Sequence, residues 1–152
     1  MKICAIVIGV VLAIFSACAK AATFRVDDSL TLPTEIAMPM NWRSLAPSRD
    51  AGHAVEGASV LTIRLNLAPW LGKTGKVYLA LPEQPVGQVS AEWTTQGRLL
   101  PGQLASGNRT LVFAGPIRAG LLEDTIVLKL QADGRRLAAP QRLQFYFEID
   151  VD

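Results

Sequence analysis

The sequence predicts an all-β protein, built as a single antiparallel β-sandwich of about seven strands. Three observations predict this class. Apolar and polar residues alternate along several short segments. Proline and glycine separate these segments at intervals of about ten residues, as in sandwiches and barrels. No longer window shows the 3.6-residue period of an amphipathic helix. A barrel is the alternative, because the alternation does not fix the order of the strands.

The last segment shows the clearest alternation. Its apolar positions are Leu143, Phe145, Phe147, Ile149 and Val151, and its polar or amphipathic positions are Gln144, Tyr146, Glu148, Asp150 and Asp152. A period of two places one set on a buried face and the other on a solvated face. We therefore expect a core strand here, and expect its removal to take away part of the core.

Five upstream segments follow the same rule. They cover residues 61–67, 77–81, 89–93, 111–113 and 125–131. Turn-forming residues end or precede them, such as Ser106-Gly107-Asn108 and Asp133-Gly134. Pro69-Trp70-Leu71-Gly72 has room for one helical turn at most. These segments account for most of the predicted sandwich.

An alternating segment over residues 22–33 precedes them. Phe24, Val26, Leu30 and Leu32 share one parity, and Pro33 ends the run. One interpretation is an ordinary first strand. The other is a donor strand that completes the sheet of a neighbouring subunit, with its backbone supplying affinity and alternate side chains filling pockets.

Residues 1–21 have the plan of a cleaved secretory signal peptide. Met1-Lys2 is followed by the apolar run Ile3 to Phe15, and Ala19-Lys20-Ala21 supplies small residues for cleavage. The working domain is then 22–152, in the periplasm or at the cell surface, without a transmembrane segment. Lipid attachment at Cys18 is the alternative, and Phe15 stands against it where such signals usually carry Leu.

Removal of this leader changes the charge and the thiol content. Cys4 and Cys18 both lie in it, so a disulfide, a thiolate metal site and a cysteine nucleophile are excluded. Without Lys2 and Lys20, 13 of the 15 basic residues remain against 13 acidic ones. A net charge near zero argues against nucleic acid or an anionic membrane as the main partner.

Together, the leader, the alternating start, the all-β body and the alternating last strand resemble a subunit of a chaperone–usher fimbria. The resemblance rests on Phe24, Val26, Leu30 and Leu32 and on the segment Leu143 to Val151. It implies an incomplete immunoglobulin-like sandwich, held by a periplasmic chaperone and completed by the next subunit's N-terminal strand. Its partners would be other subunits, in a homo- or heteropolymer.

Candidate chemistry is sparse. His53 is the only histidine and lies in a loop-like stretch, so one chain cannot assemble the usual zinc ligands. Met38-Pro39-Met40 offers thioethers for Cu(I), but packing at a strand end explains it better. The acidic pairs Asp27-Asp28 and Glu123-Asp124 lack the loop pattern of a calcium site. We expect no catalytic residue, no metal and no cofactor.

Aromatic residues give the remaining candidates for ligand contact. Trp93 shares the parity of Val89 and Ala91, which predicts a core position. Tyr78 and Tyr146 have the opposite parity from their strands' apolar residues, and Trp70 lies in a loop; these three are the candidate surface contacts.

Two functions remain open. The first is a fimbrial or pilus-associated subunit that acts by strand addition; the alternative is a self-contained periplasmic binding or accessory domain of an envelope complex. An enzyme is not expected.

Overall fold

The structure, a computed structural model, describes residues 22–32, 40–42, 53–84, 88–135 and 143–151. Within these ranges there are nine strands and one short 3₁₀ turn at Ala68–Trp70. The strands are β1 (Ala22–Arg25), β2 (Asn41–Trp42), β3 (Ala54–Asn66), β4 (Thr74–Ala80), β5 (Val89–Thr95), β6 (Gly102–Ala105), β7 (Arg109–Pro116), β8 (Leu121–Asp133) and β9 (Tyr146–Val151).

The strands form two sheets, and their named pairings are antiparallel. Sheet 1 has the order β1-β9-β4-β7 and sheet 2 the order β2-β3-β8-β5-β6. Over the described residues the sheets stay separate and do not close into a barrel. The predicted all-β antiparallel sandwich is therefore confirmed, with eight strands of four or more residues and the two-residue β2.

The order of the strands, which alternation alone does not predict, differs from that of an immunoglobulin sandwich. In immunoglobulin sandwiches the last two strands, F and G, are neighbours in one sheet. Here β8 lies in sheet 2 and β9 in sheet 1. If the two-residue β2 is left out, the remaining strands can be counted from one to eight along the chain. Sheet 1 then has the order 1-8-3-6 and sheet 2 the order 2-7-4-5, which is the order of a jelly roll.

The core lies between the sheets and follows from the period of two. On β3, Leu61, Ile63 and Leu65 point inward, and on β9 Phe147 and Ile149 do the same. Trp93 is 2 % exposed, which confirms its predicted core position, and its indole Nε1 donates to the carbonyl of Leu100 at 3.0 Å. That bond satisfies the only polar atom of this buried ring.

Residues 22–32, called the N-terminal strap below, pair with both sheets of their own chain. In β1, Ala22 to Arg25 pair with Val151 to Glu148, and the Val26 amide donates to the Phe147 carbonyl at 2.9 Å. The strap then crosses to sheet 2. There the Asn66 amide donates to the Asp27 carbonyl at 2.9 Å, and Leu32 and Thr62 exchange two backbone bonds of 2.9 and 2.8 Å.

Two local predictions, a turn at residues 106–108 and a single helical turn near Pro69, are confirmed. The turn expected at Ser106-Gly107-Asn108 joins β6 to β7, and Gly107 adopts φ +84°, a conformation that favours glycine. The single helical turn near Pro69 is present. Strand β6 was not predicted. Strand β3 begins at Ala54, well before the predicted start at Leu61, and its first half was missed because it mixes small and polar residues.

Candidate functional site

The four candidate donor-strand residues have different surroundings. Val26 is fully buried, with 1 % of its surface exposed. The exposed fractions of Phe24, Leu30 and Leu32 are 46 %, 58 % and 50 %. One side chain of the strap therefore belongs to the core of its own chain, while three apolar side chains remain largely in solvent.

Trp70 is separated from the two tyrosines. It packs partly against the core from the 3₁₀ turn, and its ring centroid lies 6.0 Å from that of Phe24. Phe24 has the parity of buried Val26, whereas Tyr78 and Tyr146 project from the outer face of sheet 1. The three aromatic candidates thus do not form one common surface.

The outer face of sheet 1 brings Tyr78 and Tyr146 together with two arginines. Tyr78 is opposite Glu148 in the β4–β9 register, and Tyr146 is opposite Ala80, so the tyrosines are diagonal neighbours. The Arg109 guanidinium carbon lies 4.2 Å from the Tyr78 ring centroid, and that of Arg25 lies 4.7 Å from the Tyr146 centroid. Each ring is thereby covered on one side by a cation.

Acidic residues complete this network. Arg109 donates to Asp150 at 3.1 Å and to Glu148 at 3.3 Å, and the Thr23 hydroxyl donates to Asp150 at 2.6 Å. The hydrogen bond from Thr23, followed by those from Arg109, holds the pKa of Asp150 below its ordinary value. The bond to Asp150 raises the pKa of the Arg109 guanidinium. The network thus ties β1, β7 and β9 into one charged surface.

A depression of about 300 Å³ opens at one end of this surface. It is lined by Tyr146, Glu148 and Arg109, and by residues 80–83 and 107–108. It combines an aromatic wall with carboxylate, guanidinium and backbone groups. Such a lining suits hydrogen bonding to a polar ligand or to the backbone of another protein.

The remaining acidic candidates have structural partners. Glu123 accepts from Arg64 Nε at 2.6 Å on the outer face of sheet 2. The buried Asp124 accepts from the amides of Leu99 and Thr125, each at 2.7 Å. In the strap, hydrogen bonds from Ser29 lower the pKa of Asp27, and burial raises the pKa of Asp28. These contacts tie loops and strands together.

Other sequence candidates are loop or terminal residues. His53 is half-buried, and its carbonyl accepts from the Gly134 amide at 2.7 Å. Met40 packs partly against the core. Residues 1–21, with Cys18 and the leader, lie outside the described residues, as do Met38 and Pro39.

The described ranges contain neither a candidate metal site nor a candidate membrane-spanning helix. No group of three or more His, Cys, Asp or Glu side chains there is placed to hold a metal ion. Among the same residues, no helix has the length and apolar character needed to cross a membrane.

Sequence reasoning missed Arg25 and Arg109 as members of the tyrosine surface. The outward parity of Arg25 was readable, since it alternates with Phe24 and Val26. That of Arg109 was not, because it shares the parity of Leu111 and Phe113, whereas the structure buries Val112. The partners of the arginines were not readable either, because Arg109 meets Glu148 and Asp150 only through the β7–β4–β9 order. Contacts between strands so distant in the chain depend on topology.

Comparisons with known proteins give no relative for this chain. No family model matches it, and neither the curated proteins nor the solved structures contain a match.

Proposed function

We propose that this chain is an exported, self-contained binding or accessory domain of the cell envelope, acting by contact with other proteins and without catalysis. The pairing of the N-terminal strap within its own chain carries this proposal. With β1 on β9 and Leu32 on Thr62, the sandwich has its own first strand and needs none from a neighbour.

The outer face of sheet 1 is the contact surface that we favour. Its arginines and acids are held in place by mutual bonds, so little side-chain entropy is lost when a partner binds. Arginine and tyrosine are also enriched where proteins bind one another. The depression beside Tyr146 gives this face a recess for a partner's polar segment.

A second candidate is the fimbrial or pilus subunit that acts by strand addition. The exposure of Phe24, Leu30 and Leu32 favours it, because three apolar side chains of one extended segment lie in solvent. In this function, the strap of one subunit would replace that of the next, with Val26 filling the same core position.

One comparison separates the two functions. Residues 22–152 and a chain beginning at Pro33 are purified, and their mass and thermal unfolding are measured over a range of concentrations. A self-contained domain forms no species larger than a dimer at any concentration, and loss of the strap lowers its melting temperature. Strand addition instead gives polymers that lengthen with concentration and vanish when the strap is removed. Such polymers would reject the self-contained function.

A further inference from the structure

The outer face of sheet 2 has an uncharged, apolar centre. Val60 is 60 % exposed although it lies in the middle of the long strand β3. It is paired with Val127 on β8, and Val127 is paired with Thr94 on β5. Its exposure is therefore not the result of a loop position or of a fraying strand end.

The surroundings of Val60 extend this neutral area. Ala58, Thr62 and Thr125 are its small neighbours on the same face. Leu32 of the strap pairs with Thr62, and Leu121 lies on the same face at the end of β8. Of the seven exposed large apolar side chains in the described ranges, Leu32 and Val60 lie together at this centre, and Leu121 shares the face but lies beyond the Arg64–Glu123 pair. Such concentration marks an interaction surface.

One charged residue, Lys129, borders the central Val60–Val127 pair, and the other charged groups of this face lie farther out. Arg64 and Glu123 form an ion pair of 2.6 Å toward one end. Toward the other end, Gln131 donates to Glu56 at 3.1 Å, and Lys129 is paired with Glu92. A neutral centre with a charged rim is the usual anatomy of a protein–protein interface.

We propose that this face binds a second copy of the chain in a symmetric dimer. Val60 and Val127 are the middle pair of the β3–β8 ladder, which runs from Ala54 with Asp133 to Asn66 with Leu121. A two-fold axis parallel to the strands and above this pair lays β3 of one copy over β8 of the other. The same patch then serves both copies, as an isologous interface requires.

The charge pattern supports a second copy as the occupant. In this arrangement Val60 lies over Val127 of the other copy, and Arg64 lies over its Glu123, twice by symmetry. Both Arg64–Glu123 contacts are attractive. Lys129 lies over Ala58 and diagonally across the axis from the other copy's Lys129, and Glu92 is paired with it within its own sheet. Long side chains such as arginine tolerate the crossing angle of about 30° between packed sheets.

The size of the face sets the expected affinity. The thirteen residues of β3 and of β8 extend about 40 Å, β5 beside them has seven residues, and the three strands side by side span about 14 Å. A contact of this size falls at the lower end for specific interfaces. We therefore expect a dimer that dissociates in the micromolar range.

Sedimentation velocity of the exported full chain, from low to high micromolar concentration, tests the proposal. Wild type is expected to shift from monomer to dimer. Val60→Glu should weaken the dimer at least about thirtyfold, as for a central interface residue. Leu71→Glu, which changes a side chain that is 52 % exposed in the loop before β4, should leave dimerisation unchanged. A wild type that stays monomeric, or a Val60→Glu protein that dimerises normally, would overturn the proposal.

A charge exchange gives a second test that does not depend on the stability of the Val60 variant. Arg64→Glu places two acids opposite each other across the interface, and Glu123→Arg places two arginines there, so each variant alone should be monomeric. An equimolar mixture restores opposite charges at both positions and should form heterodimers. The Arg64 and Glu123 side chains are 37 % and 49 % exposed, so the folds should tolerate the changes. A mixture that remains monomeric, or single variants that dimerise like wild type, would contradict the proposed axis.

Discussion

Asp124 fixes the loop that joins β5 to β6. It is 6 % exposed and is the only buried charged residue among those that the structure describes. Its carboxylate accepts from the Leu99 and Thr125 amides, and a Cβ atom on Gly97 would lie only 2.7 Å from its Oδ1. The loop after β5 thus wraps closely around one side chain, and glycine at position 97 makes the approach possible.

Replacement of Asp124 by alanine should lower the free energy of unfolding by about 1–3 kcal/mol, because the buried Leu99 amide would lose its acceptor. Asp124→Asn keeps one acceptor oxygen and should lose less. Urea titration measures both values. Glu123→Ala is the matched control, since the neighbouring carboxylate forms only an exposed ion pair, worth about 0–1 kcal/mol. Equal losses for Asp124→Ala and Glu123→Ala would show that the buried carboxylate is not needed.

The strands show which structural features the alternation of apolar and polar residues can predict and which it cannot. The period of two predicted which face of β9 is buried, because alternate residues of any strand point to opposite sides. It predicted neither β6, whose four residues include only one buried apolar side chain, nor the neighbours of any strand. The positions of Tyr78 and Tyr146 were predictable as outward, but their arginines depend on the sheet order.

The strap is the element on which the two proposed functions differ, and Val26 is its one fully buried side chain. Val26→Ala should lower the free energy of unfolding by about 1–3 kcal/mol, since two buried methyl groups are lost. Leu30→Ala is the control, because Leu30 is 58 % exposed and its change should stay within about 0.5 kcal/mol. Chemical denaturation of both variants gives the comparison. Indistinguishable losses would mean that the strap is not docked in its own chain in solution.

At the scale of the whole molecule, the sandwich depends on contacts between distant parts of the chain. Residues 22–25 pair with residues 148–151, and β3 pairs with β8 over thirteen residues each. Closing such long loops costs entropy before the pairing compensates it, so slow folding is expected. The two outer faces also differ, with a charged network on sheet 1 and a neutral centre on sheet 2, and we propose that the first contacts a different protein and the second another copy of the chain.

Removal of strand β9 should affect this architecture most. The strand lies inside sheet 1, between β1 and β4, and buries Phe147, Ile149 and Val151. Burial of each such side chain contributes about 1.5–3 kcal/mol, and three together approach the whole stability of an ordinary domain, about 5–15 kcal/mol. A chain ending at Phe145 should therefore lose its cooperative unfolding transition and the dispersion of its amide NMR signals. A chain beginning at Val26 removes only β1, an edge strand with four exposed residues, and should stay folded with a lower urea midpoint. If the first truncation unfolded as cooperatively as the second, β9 would be an accessory strand, and sheet 1 would owe its order to β4 and β7 alone.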